Sequence, residues 1–252
     1  MDIKREFSTI LNPSVLSAVA ISIAVVAGLS VLASTWKRTH DVYQKIAVTG
    51  VAHLDFESDK IVWSPSFERT GTQINDVYAL MKADAEMVRT YLLSHGVSEK
   101  EFVFDAVNIG RETRIVQAGN QSHEEFAGYR LSQSVTVQSG NIDKVERISR
   151  EISELLKSGM QLTSNSPLFY YSKLAEVKAN LLAQASEEGR SRAMTIARNA
   201  QGNLGSLRKA DMGIFQITGQ NTNEDYSWSG AYNTTSRFKT ASVTVKMEFN
   251  VE

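Results

Sequence analysis

Apolar and polar positions along this chain change period several times, and each change marks an element. From Phe7 to Trp36 there is no charged residue, and Val15 to Leu32 is dense in Val, Ile, Leu and Ala. About 20 apolar residues rising 1.5 Å each cross ~30 Å of hydrocarbon, so the stretch is expected to span a membrane. A cleaved signal peptide competes with that reading. Its apolar region is usually ~7–15 residues long and ends in a small-residue cleavage site. Here the run is longer, and the best candidate site, Val31-Leu32-Ala33, is imperfect. The favoured reading is therefore a short segment 1–12, a transmembrane signal anchor over 13–36, a juxtamembrane linker 37–42 and one domain over 43–252.

Within the span, Ala20, Ala24 and Gly28 fall four apart on one helix face, as do Ser14, Ala18 and Ser22. Small residues at that spacing let helices approach closely, which makes the first three candidate contact residues, although such spacings also arise by chance in an Ala-rich run. Lys4 and Arg5 before the span balance Lys37 and Arg38 after it, so the basic flanks set no orientation. Long domains behind a first apolar segment commonly cross whatever their flank, so residues 37–252 are expected on the outer, translocated side of the membrane.

Beyond the span, strands and helices follow closely. Gln44–Phe56 and Lys60–Thr70 read as a hairpin around Glu57-Ser58-Asp59. Thr72–His95 shows a helical face of Ile74, Val77, Met81, Ala85, Val88 and Leu92, with Thr72 as cap and Gly96 as left-handed stop. Phe102–Val116 and Tyr129–Ser139 read as strands joined by a loop at Gly119–Glu125. A second helix is expected over Ile142–Lys157, capped by Asn141 and stopped by Gly159, then a short strand around Met160–Tyr171. The third and longest helix, Ser172–Gln201, carries the stripe Leu174, Val177, Leu181, Ala185, Gly189, Ala193, Ile196 and Ala200. A strand at Leu207–Thr218, a polar loop and a strand at Phe238–Val251 close the chain. The fold class is α+β, a transmembrane helix followed by strand pairs and three amphipathic helices. The order strand pair, helix, strand pair, helix over 44–157 reads as an approximate duplication.

Composition narrows the function without choosing it. With 42% hydrophobic and 22% charged residues, and Lys+Arg 27 against Asp+Glu 28, neither disorder nor a nucleic-acid-binding charge balance fits. Zero Cys removes disulfide frameworks, thiolate metal sites and thiol nucleophiles together. His40, His53, His95 and His123 show no i,i+4 pairing, and no phosphate loop, nucleophile elbow or dinucleotide fingerprint occurs. Glu124-Glu125 and Glu187-Glu188 read as solvated runs, as does the partly neutralised basic face of Lys178, Arg190, Arg192 and Arg198. Asn221–Asp225 lacks the Gly and the Glu that a calcium loop needs at its sixth and twelfth positions. No catalytic, cofactor or metal residue is assigned.

Two features point to contacts. The Gly219–Arg237 loop is longer than the ~12–15 residues usual for an unstructured connection, yet carries Tyr226, Trp228 and Tyr232. Aromatics there fit a contact surface, the alternative being a merely mobile loop. The long helix uses Ala185, Gly189, Ala193 and Ala200 where a monomer core would favour Leu or Ile, and its ~44 Å exceeds what one small sheet needs to cover. That combination is read as a surface buried against a neighbouring subunit.

Taken together, Ile46-Ala47-Val48-Thr49-Gly50, Gly128-Tyr129, Pro167-Leu168-Phe169-Tyr170-Tyr171-Ser172-Lys173-Leu174, Arg190-Ser191-Arg192-Ala193, Leu204-Gly205-Ser206-Leu207 and Gly213-Ile214-Phe215-Gln216-Ile217 resemble the SIMPL-domain family over about residues 43–251. The acidic Asp and Pro that many relatives carry after the first strand are represented only loosely, by Asp55–Asp59. The resemblance implies a bacterial envelope protein facing the periplasm, of α+β fold and without established enzymatic activity; with the apolar span, the expectation is one pass through the inner membrane and a periplasmic domain. It also implies relatives linked to oxidative-stress defence, relatives that are immunogens, and relatives that form ring- or channel-like homo-oligomers. The expected partners are thus further copies of the chain and the membrane, with no nucleic acid, no cofactor and no identified small ligand. A small-ligand or protein-binding module without large assembly is the second reading, and an enzyme the third.

Overall fold

A computed structural model describes residues 13–40, 45–118 and 121–251. Helix α1 (Pro13–His40) contains Leu16–Trp36, a stretch long and apolar enough to cross a membrane, and every residue of that stretch is exposed. Its few polar side chains are satisfied locally. Ser22 Oγ donates to the Ala18 carbonyl at 2.8 Å, Ser30 to Ala27 at 2.8 Å and Ser34 to Val31 at 2.8 Å. Back-bonding of this kind lets hydroxyls enter hydrocarbon without an unmet donor.

The remaining elements are β1 (Lys45–Glu57), β2 (Lys60–Trp63), β3 (Ser66–Gly71), α2 (Ile74–Ser94), β4 (Phe102–Phe104), β5 (Asn108–Ala118), β6 (Gln121–Ser139), α3 (Ile142–Glu151), β7 (Gln161–Thr163), β8 (Leu168–Tyr170), α4 (Leu174–Asn199), β9 (Leu204–Met212), β10 (Gln216–Gly219) and β11 (Phe238–Val251). They build two antiparallel sheets, each with helices on one face. The first sheet runs β7-β3-β6-β2-β8, with β4 and β5 also on β6. Trp63, Phe67, Leu131, Val135 and Val137 pack there against Val77, Met81, Val88 and Leu92 of α2 and Val145 and Ile148 of α3. Asp84 lies on the buried face of α2, where the Arg69 guanidinium meets both carboxylate oxygens at 2.6 and 2.8 Å and donates to the Gly159 carbonyl at 2.7 Å. The bidentate geometry leaves neither buried charge unpaired.

The second sheet is β1-β11-β10, with β9 also on β11, and α4 covers one face. On β11, Ala241, Val243, Val245, Met247 and Phe249 point to α4 at period two, while the alternate side chains are mostly polar. The expected hairpin of Gln44–Phe56 with Lys60–Thr70 is therefore not formed. β1 pairs along its whole length with β11, Lys45 opposite Asn250 and Glu57 opposite Phe238, while β2 pairs with β6 and β8. Gln44 lies outside the described residues. Because β1 belongs with the C-terminal elements, the expected duplication over 44–157 does not describe the fold either.

Element boundaries shift for local reasons. The cap of α2 is Gln73, with no side-chain bond, instead of Thr72, whereas Asn141 does cap α3 by accepting from the Lys144 amide at 3.1 Å. Helix α3 ends at Glu151 and continues as a 3₁₀ turn to Ser158, with Gly159 left-handed as expected, as is Gly96. The span Phe102–Val116 divides into β4 and β5, and Met160–Tyr171 into β7 and β8, on opposite sides of the sheet. Residues 121–125, expected in a loop, extend β6, and 119–120 lie outside the described residues.

The small-residue stripe of α4 has its partner within the chain. A Cβ on Gly50 of β1 would lie 1.9 Å from the Ala185 carbonyl oxygen and 2.8 Å from the Gly189 amide nitrogen. Helix and strand backbones touch there, which only small residues permit. Ala185, Gly189 and Ala193 are buried against the chain's own sheet and offer no surface to a neighbour, which corrects the reading of the stripe as a subunit contact. Ala200, just past the helix, is exposed.

Candidate contact site: the aromatic loop and its groove

Between β10 and β11 the chain makes a long connection that is nonetheless tightly built. Lys239 sits on the inward phase of β11 and is fully buried, and its ammonium donates to the carbonyls of Asn233 and Ser236, each at 2.6 Å. Burial pushes its pKa down to about 8, against the opposing pull of Glu224. Glu224 accepts from the Gly219 amide at 3.1 Å and from the Asn233 side-chain amide, whose oxygen in turn accepts from the Ser236 amide at 2.8 Å. Gln216 closes the other end. Its Nε2 donates to the Ser227 carbonyl at 2.8 Å, and its Oε1 accepts from the amides of Ser227 and Ala231 at 3.2 and 2.7 Å. Backbone bonds from Ile217 to Ala231 and from Asn233 to Ile217, both 2.8 Å, lay the returning chain along β10. These bonds give the connection a defined path from β10 to β11.

The frame displays the three aromatics in different ways. Ser227–Gly230 form a turn closed by Gly230 N–H to Ser227 C=O, with Gly230 at φ +94° where a Cβ would meet the Phe215 carbonyl at 3.0 Å. Trp228 stands on that turn 95% exposed and Tyr226 beside it 68% exposed. Tyr232 is 43% exposed and turns towards Tyr170 of the first sheet, their ring centroids 6.4 Å apart. So Tyr226 and Trp228 form one surface, and Tyr232 belongs to the junction between the sheets.

Beneath Trp228 and Tyr226 lies a groove of about 650 Å³ on the helix-free face of the second sheet, lined also by Val51, His53, Ile214, Ser242, Thr244 and Lys246. Its volume is that of a small-ligand pocket, and its lining carries no carboxylate. No proton-transfer pair or activated nucleophile is assembled in it. Among the described residues no group of three His, Cys, Asp or Glu converges to hold a metal. His95 is engaged with the Tyr91 carbonyl at 2.8 Å, and the basic face of α4 is tied up in part, with Arg192 on Glu188 and Lys178 over the Phe215 ring at 5.7 Å. In α1, Ala20, Ala24 and Gly28 are exposed, and nothing lies within 4 Å of a Cβ built on Gly28.

Two residues that frame the loop escaped the reading of the sequence. Lys239 had a signal, because it occupies a core phase of an alternating strand. Arg237 had none. It bridges the two sheet units, donating to Glu57 at 2.6 Å and to Asp143 and Glu146 of α3 at 2.5 and 3.2 Å, and Asp143, with Glu57, raises its pKa further above the usual guanidinium value. Asp59 adds a second tie by accepting from the Ser172 amide at 2.8 Å ahead of α4.

No curated protein matches this chain. A family model does, over residues 46–252: SIMPL, described as a protein of unknown function (DUF541). The matched segment contains both sheets, both cores and the aromatic loop, and the chain belongs to the SIMPL family.

Proposed function

We propose that this chain is a membrane-anchored, non-catalytic SIMPL protein of the bacterial envelope that assembles with further copies of itself into a ring- or channel-like structure. Its domain lies on the periplasmic side of the inner membrane, where a role in oxidative or envelope stress defence is consistent with the family resemblance. The observation that carries the contact reading is Trp228, 95% exposed on a loop that side chains of Gln216 and Lys239 hold at both ends. An indole in water on a pre-ordered support loses little conformational entropy on binding, which is the usual character of an interface anchor. The anchor supports the same reading, because α1 confines all copies to one surface and so raises their effective concentration.

Two differently tagged copies expressed together test this. Capture of one tag from mild detergent should recover the other, and Trp228→Ala should weaken recovery while leaving the thermal transition in place. Recovery of one tag alone would contradict the assembly. A second reading, a binding module for a small anionic or aromatic ligand, draws on the groove beneath Trp228, where Lys246 and His53 face no lining carboxylate. Under that reading a ligand would raise the melting temperature of an uncomplexed chain.

A further inference from the structure

Among the described residues, strand β5 has a neighbour on its β6 side only, and its outer edge runs open for eleven residues. The fold treats its other long edge differently. On β1 the Thr49 carbonyl accepts from Arg192 at 3.4 Å, and the Val51 amide donates to Glu188 at 3.1 Å, so side chains of α4 occupy groups a strand would otherwise pair with. Nothing comparable covers β5 among the described residues. Past the point where Gly71 pairs with Tyr129, moreover, β5 and β6 continue as a ribbon of only two strands. Two-stranded ribbons are marginal alone, and open edges are templates for another strand.

We infer that the partner of this edge is β5 of a second copy, paired antiparallel about a two-fold axis at Thr113. The inference rests on the homo-oligomer reading above and names the element that makes one of its contacts. Charge selects the register. Antiparallel pairing of a strand with itself must centre on a residue, and centring on Thr113 sets Glu112 opposite the second copy's Arg114, twice. A slip of the centre by one residue sets Glu112 against Glu112 or Arg114 against Arg114. Both side chains are already held over the ribbon, Glu112 by Arg130 at 2.5 Å and Arg114 by Glu125 at 2.7 Å. The joined ribbons would then carry the row Arg130, Glu112, Arg114, Glu125 across four strands with alternating sign.

The opposite face agrees with this register. Ile115 is 75% exposed and has no apolar cover in its own chain's ribbon, where it pairs with Glu124. Centring on Thr113 brings it opposite Arg111 of the other copy, whose guanidinium lies 5.2 Å over the Phe126 ring. The remaining long edge, β9, is a poorer template. Its ladder with β11 carries two register shifts, against one in the ladder of β5 with β6, between Glu112 and Thr113.

The chain has no cysteine, so single substitutions report proximity without background. Across an antiparallel pair opposed Cα atoms lie ~4.5–5.5 Å apart, within disulfide reach, whereas Glu112 and its own copy would be about 8–9 Å apart and out of reach. In full-length protein in mild detergent, Thr113→Cys should form a disulfide dimer on oxidation at least tenfold faster than Glu154→Cys, an exposed control. Glu112→Cys and Arg114→Cys should each cross-link slowly alone and rapidly when co-expressed. Native mass of the unoxidised Thr113→Cys protein separates the possible failures. An oligomer in which Thr113→Cys cross-links no faster than the control, or in which Ala210→Cys on β9 cross-links instead, overturns the β5 contact and leaves the assembly standing. A monomer overturns both.

Discussion

Lys239 shows how one residue can hold a loop. Its ammonium supplies donors to two partly buried carbonyls, so Lys239→Met should cost about 1–3 kcal/mol at neutral pH. The sign of its pH dependence follows from the depressed pKa. Between about 8, its folded value, and the ordinary lysine range near 10.5, the unfolded chain binds the extra proton, so the contribution of Lys239 to stability rises with pH across that window. Urea midpoints of wild type minus Lys239→Met, measured at pH 7.5 and pH 10, should show the difference widening. A narrowing would mean that the charged form is the better accommodated one.

Ala193 and Gly50 make a second residue-scale case, in which the composition of a helix face was legible and its partner was not. A run of Ala and Gly states that something comes close, and leaves unsaid whether that is another subunit or another part of the same chain. Here it is β1, more than 130 residues earlier, in contact with Ala185 and Gly189. Ala193→Leu and Gly50→Ala should therefore each destabilise the domain itself, by ~1–3 kcal/mol or more, through overpacking. Thermal unfolding followed by circular dichroism checks this. An unchanged transition in either variant would require the helix and strand to separate more easily than their backbone contact allows.

At the scale of elements, period-two patterning located β11 to the residue and most of β1, because each has one face on a core and one on solvent. It could not name their partners, since an alternating strand carries no mark of which strand it joins, and the nearest candidate in sequence was the wrong one. The aromatic loop was legible as unusual from its length and its Tyr and Trp content. Its hydrogen-bonded frame was not, because that depends on Gln216, Glu224 and Lys239 meeting in space. With Trp228 almost wholly in water, Trp228→Ala should change unfolding free energy by no more than ~0.5 kcal/mol. A large loss of stability would place the indole in a core that this structure does not give it. The clamp between the two units makes the opposite forecast. Arg237→Ala leaves Glu57, Asp143 and Glu146 without their shared cation, and should turn one cooperative unfolding transition into two.

For the whole molecule, chain reach limits how the domain can stand. From His40 to Lys45 the chain spans at most ~18 Å, so the start of β1 stays close to the end of α1. β1 then runs about 40 Å to the end that pairs with Phe238, where the aromatic loop emerges. From that end the loop folds back, so Trp228 and Tyr226 lie over the middle of β1 and β11, beside Val51, His53, Thr244 and Lys246. Native mass spectrometry of the protein extracted in mild detergent tests the central claim most directly, because one spectrum reads both the anchor and the assembly. The account predicts a species at an integer multiple, greater than one, of the intact 27.9 kDa chain. A single species at the mass of one chain, or one shortened to begin near Ser34, would contradict it.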